Sequence, residues 1–87
     1  MKMYKPIIHS GWLKLETEFS KRLEIFCDSQ ITSVKPEKDT LKILILNEPR
    51  EIYPYMYEHA QAHIDKYDLV FTWDEHLLSL GYRHVHK

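Results

Sequence analysis

Two short stretches, Asn47-Glu48-Pro49-Arg50 and Thr72-Trp73-Asp74-Glu75, hold the side chains of this sequence best suited to chemistry. A glutamate serves as a general base when burial raises its affinity for protons, which makes Glu48 the candidate base. Arg50 offers a planar fork for an anionic group, and Asn47 can orient a hydroxyl. Trp73 and Tyr55 supply apolar area with a hydrogen-bonding tip, a combination that stacks on a sugar ring or lines a protein interface. Asp74 joins them as a ligand-binding candidate. The plainer alternative is that Glu48 and Asp74 only cap helices and solvate loops, as charged residues at strand ends commonly do.

The other reactive side chains form weaker patterns. His59 and His63 stand four apart and share a helix face, the spacing of metal-binding pairs, but Ala60-Gln61-Ala62 lies between them without the glutamate of a zinc-protease motif. A third ligand would have to come from elsewhere, with His76 the nearest candidate, so solvated helix surface is the reading preferred and no metal or cofactor is assigned. His84 and His86 share one side of a short extended segment at the end of the chain. Cys27 sits between Phe26 and Asp28, which offer neither a base nor a positive field, and it reads as buried and inert. Tyr53 and Tyr57 lie on the predicted buried stripe of a helix and read as core.

The surrounding elements must bring the two stretches together. Leu41-Lys42-Ile43-Leu44-Ile45-Leu46 is a β-branched-rich apolar run bounded by polar residues, the signature of a strand covered on both faces. Pro54 suits a first helical turn, and Met56, Tyr57, Ala60, Ile64 and Tyr67 follow at helical spacing. Asp68 to Trp73 is a second β-rich run, so strand, helix and strand form one right-handed parallel βαβ unit. Asp74-Glu75 opens a short helix that Gly81 stops, and the segment after it reads as a third strand. Upstream, Leu15, Phe19, Leu23 and Phe26 recur three or four residues apart between charged residues, which predicts an amphipathic helix over Leu13 to Phe26. Asp28-Ser29-Gln30 and Lys35 to Asp39 read as connecting loops. The expected fold is one α/β domain over residues 1–87: a small three-layer, Rossmann-like half-domain with a short parallel sheet and flanking helices. In such sheets ligands bind just beyond the carboxyl ends of the strands, where both stretches fall.

Composition narrows the function classes. The chain has 87 residues, 12 Lys+Arg against 13 Asp+Glu and a net charge of −1, so no positive field gathers nucleic acid or an anionic membrane surface. Its longest apolar run is far shorter than the roughly 20 residues of a membrane-spanning helix. A lone cysteine and an amino terminus without the apolar run of a signal peptide fit a reducing, cytoplasmic setting.

A strand ending in Asn47-Glu48-Pro49, a helix, and then Tyr67-Asp68-Leu69-Val70-Phe71-Thr72-Trp73-Asp74-Glu75-His76-Leu77-Leu78 together resemble the amino-terminal, acceptor-side half of fucosyltransferase-like enzymes of glycosyltransferase family 10 and their viral and marine relatives. The likeness covers Leu41 to Leu80. It implies that Glu48 matches the residue that takes a proton from the acceptor hydroxyl, and that Asp74 matches the aspartate beyond the second strand. The chain reaches Lys87 without the domain that holds the nucleotide sugar in such enzymes, and Gly11 and Gly81 form no phosphate loop. The expectation is therefore an incomplete or non-catalytic glycosyltransferase-like domain that binds a carbohydrate acceptor at its strand ends. Two other classes stand beside it: a module that binds a protein partner or a second copy of itself through its tyrosine-rich helix and a sheet edge, and a small enzyme using Glu48 as base.

Overall fold

A computed structural model of the chain describes residues 1–28 and 39–87. Five strands, β1 (Ile7–His9), β2 (Arg22–Cys27), β3 (Thr40–Leu46), β4 (Leu69–Thr72) and β5 (Val85–His86), form one sheet in the order of the sequence. Every neighbouring pair is parallel. Helix α1 (Pro54–Ala62) and a 3-10 turn (Ile64–Lys66) connect β3 to β4, and helix α2 (Glu75–Ser79) connects β4 to β5. The α/β, Rossmann-like class expected from the sequence is present, as a parallel sheet with flanking helices.

The register places Phe26, Leu44, Val70 and Val85 in one row across the sheet, and parallel partners share a face. That row joins Leu46, Met56, Tyr57, Ala60, Ile64, Tyr67 and Leu77 in one buried cluster. Both described helices therefore press on the same face. The connections from β3 to β4 and from β4 to β5 each advance one strand in the same direction, so crossovers of one hand return over one side. Burial pushes the Tyr67 phenol up to about 12. On the other face Leu41, Ile43, Ile45 and Leu69 are half-buried and Phe71 is exposed, with no described helix over them.

The structure corrects the amino-terminal third. No helix forms over Leu13 to Phe26: residues 13–21 are irregular apart from an antiparallel bridge of Phe19 to Tyr4, and the rest is β2. Leu15 is exposed, so the helical stripe it would begin has nothing to pack on. Leu23, Ile25 and Cys27 alternate with Glu24 and Phe26, and six register pairs with β3 and three with β1 engage the backbone of β2 on both edges. Tertiary pairing thus outweighs a local periodicity that fits either state. The apolar patch Pro6 to His9 supplies β1, and the expected third strand is the fifth.

The remaining elements follow the sequence closely. Pro54 opens α1 at its first turn, and Gly81, at φ 77, takes the left-handed conformation that stops α2. Tyr57 is buried as expected, whereas Tyr53 precedes the helix and is exposed rather than part of its buried stripe. Of the two expected loops, Asp28 and Asp39 are described, and the residues between them lie outside the described ones.

Candidate functional site

The carboxyl rim of the sheet carries three acidic side chains just past strand ends, Asp28 one residue beyond β2 and Glu48 and Asp74 each two residues beyond β3 and β4. Asp28, after β2, sits at φ 52, a left-handed conformation that aspartate tolerates better than most residues. From that corner its Oδ1 accepts the backbone N–H groups of Asn47, at 2.8 Å, and Glu48, at 2.9 Å. Its Oδ2 accepts the indole N–H of Trp12 at 3.2 Å. One buried carboxylate thereby ties the segment after β1 to the turn after β3. Ser10 tightens the same corner, its Oγ accepting the backbone N–H groups of Trp12 and Leu13. From the sequence Asp28 reads only as a loop residue, because the helix expected upstream hides β2. Its position directly after Ile25-Phe26-Cys27 is the signal that would have placed it on the rim beside Glu48 and Asp74.

The two sequence-predicted stretches do meet. Leu46 pairs with Thr72, so Asn47 and Trp73 leave their strands side by side. Arg50 reaches across to Asp74 through two parallel bonds, Nε to Oδ1 at 3.0 Å and Nη2 to Oδ2 at 2.6 Å. The Arg50 guanidinium also lies 4.7 Å from the centre of the Tyr57 ring. Asp74 in turn caps α2, its Oδ2 accepting the Leu77 N–H at 2.8 Å, and its own N–H donates to Thr72 Oγ1. Arg50 and the helical N–H hold the Asp74 carboxyl below the usual carboxylate range, against the opposing effect of burial. Asp74 in turn pushes the Arg50 guanidinium higher still.

The turn carrying Glu48 is anchored from below by Tyr57, whose hydroxyl donates to the Glu48 carbonyl at 2.6 Å. Burial pushes that phenol up, and a hydrogen bond with Thr72 acts the other way. Pro49 begins a tight turn in which its carbonyl accepts the N–H groups of Ile52 and Tyr53. The Glu48 side chain is half-buried and pairs with no cation among the described residues. Asn47 is exposed, Trp73 is 66% exposed, and Tyr55 stands out from the first turn of α1 at 81%.

Arg50 and Asp74 therefore hold each other and fix the rim. Asn47, Glu48, Tyr55 and Trp73 remain presented to solvent. Chemically, the rim offers one carboxylate, one carboxamide and two aromatic faces on a stiff support.

Other candidates stand apart from it. Cys27 is buried, and burial pushes its thiol up despite a hydrogen bond from Ser10. The His59 and His63 rings lie 4.4 Å apart, and no group of three or more metal-ligating side chains is assembled among the described residues. None of the described helices is long and apolar enough to cross a membrane. A groove of about 610 Å³ opens at the opposite, amino edge of the sheet. No family model, curated protein or solved structure matches the chain.

Proposed function

We propose that this chain is a glycosyltransferase-like domain that binds carbohydrate at the carboxyl rim of its sheet without turning it over. The observation that carries the reading is Trp73, an indole 66% exposed at the end of β4, beside Asn47 and Glu48. An exposed indole costs hydrophobic free energy unless something covers it, and the apolar face of a sugar ring is a fitting cover. Glu48 accepts sugar hydroxyls, and the Asn47 amide both donates and accepts, so the two complement a ring seated on Trp73. The Arg50–Asp74 pair serves as the brace that keeps Trp73 and Glu48 at a fixed separation.

Binding without turnover is favoured by the state of Arg50. A nucleotide-sugar donor needs cations for its diphosphate, and this guanidinium is already neutralised by Asp74 in a two-bond pair. Titrating the ¹⁵N-labelled chain with mono- and oligosaccharides should shift backbone signals around Glu48 and Trp73, and Trp73→Ala should abolish the response. Consumption of a nucleotide sugar by the chain, lost in Glu48→Gln, would show an enzyme instead.

A second reading, a module for protein contact or self-association, is favoured by the sheet face that no described helix covers. Ile43, Ile45, Leu69 and Phe71 form it, and Ile52 and Tyr53 add exposed apolar surface at the rim. Light scattering across a hundredfold range of concentration separates the readings: a constant monomer mass speaks against self-association.

A further inference from the structure

The amino edge of the sheet carries a second set of side chains. Tyr4, Lys21, Arg22, Asp39, Leu41 and Asp68 line the groove of about 610 Å³, a volume in the range of small-molecule sites. Its charges are sorted by strand. Lys21 and Arg22 lie at the start of β2, whereas Asp39 precedes β3 and Asp68 precedes β4. Arg22 and Thr40 are register partners, so both signs of charge enter the groove from neighbouring strands.

Despite that proximity the charges do not neutralise one another. Among the described residues the ion pairs are His9–Glu24, Arg50–Asp74 and Lys87–Glu75, and none involves a groove residue. The Arg22 guanidinium instead lies over the Tyr4 ring, 5.0 Å from its centre, and the Lys2 ammonium approaches the same ring at 5.7 Å. Asp68 is held in place by its backbone partner: Oδ2 accepts the Lys42 N–H at 2.7 Å, and the Asp68 N–H returns a bond to the Lys42 carbonyl at 2.8 Å. Among the described residues nothing bonds the other carboxylate oxygen of Asp68, an exposed residue of the groove lining. Leu41 and the Tyr4 ring add apolar wall.

We propose that this groove binds a small zwitterion of dipeptide size, its carboxylate on Lys21 and Arg22 and its ammonium at Asp39 and Asp68. Strands stand about 4.8 Å apart, so the cations of β2 and the acid before β4 are separated by about 10 Å of sheet. A dipeptide with an ion pair at each end spans that gap. A simple anion would meet two cations but also two carboxylates, and a simple cation the reverse, so only a ligand with both charges satisfies the whole lining.

The test uses glycyl-L-leucine and two derivatives with one charge removed, N-acetyl-glycyl-L-leucine and glycyl-L-leucinamide, each titrated into the ¹⁵N-labelled full chain. The parent dipeptide is expected to shift signals of Arg22, Thr40 and Asp68 saturably, and each derivative to bind at least fivefold more weakly. Arg22→Gln and Asp39→Asn, both at exposed positions, are each expected to weaken the dipeptide at least fivefold while leaving the amide spectrum of the rest of the chain unchanged. Absence of saturable shifts up to 20 mM dipeptide would overturn the proposal. So would equal binding of the acetylated derivative, which would make the groove a site for anions alone.

Discussion

Removing the Asp74 carboxylate with Asp74→Ala breaks two things at once, the paired bonds to Arg50 and the cap of α2. A hydrogen bond to a charged group contributes about 1.5 to 3 kcal/mol, and loss of a cap costs about 1 kcal/mol. The pair is neither a surface contact nor a fully buried one, since its side chains are 30% and 10% exposed, so the lower part of the first range applies. The sum is about 3 kcal/mol. A domain of this size is stabilised by roughly 0.05 to 0.15 kcal/mol per residue, so this loss is a large share of the whole. The melting temperature should fall by about 12 to 24 °C, at about 4 to 8 °C per kcal/mol. Arg50→Met leaves the cap intact and removes the paired bonds together with the guanidinium over the Tyr57 ring, so it should cost about 1.5 kcal/mol.

Urea unfolding of the two single variants and the double variant, followed by far-ultraviolet circular dichroism, completes the cycle. A coupling of about 1 to 2 kcal/mol is expected. The sign of the pH dependence is fixed by the same pair. Because Arg50 depresses the Asp74 carboxyl, its contribution is complete above the ordinary aspartate value of about 3.9 and is lost as pH falls through the lower native value. The gap between wild type and Asp74→Ala should therefore narrow only in strong acid, as far as the pairing is concerned. Single-variant effects that add to within about 0.3 kcal/mol would refute the reasoning and leave Arg50 free to hold a ligand.

Asp28→Ala should destabilise by about 3 kcal/mol in the same unfolding assay, because it removes three accepted bonds and leaves alanine at a left-handed φ. Tyr57→Phe should cost about 1 kcal/mol and move the amide signals of the turn after β3, since the Glu48 carbonyl loses its phenol donor. Desolvation, Lys66 and His59 together hold the His63 imidazole below its ordinary value, so ring-proton titration should find its midpoint under 6.5, and Lys66→Gln should raise it. The unfolded chain then binds the extra proton first, and this residue's effect is to lower stability as pH drops through about 6.5. A midpoint for His63 at or above that value would remove the effect.

The central βαβ unit was legible because each of its parts carries a signal that no other structure uses well. Four successive aliphatic residues, Ile43 to Leu46, have no polar face for an exposed helix, Pro54 cannot sit inside one, and Asp74 stands where a cap is needed. The amino-terminal third was not legible, because Leu15, Phe19, Leu23 and Phe26 also satisfy a helical period and strand pairing is decided by distant residues. The same gap hid Asp28, which depends on β2 for its position. The meeting of Arg50 with Asp74 followed from the parallel pairing of β3 and β4. That they would consume each other did not, since the reach of a side chain across two strands is a matter of geometry that spacing along the chain does not encode.

The chain has two tryptophans, and their indole N–H signals are resolved by assignment with Trp12→Phe. Trp12 donates to Asp28 on the far side of the rim, whereas Trp73 is presented to solvent beside Glu48. Following both signals during titration with an oligosaccharide tests the proposed sugar site directly. The Trp73 signal should move saturably while the Trp12 signal stays in place. Movement of neither indole at millimolar sugar, or of Trp12 alone, would contradict the assignment of the rim as a carbohydrate site.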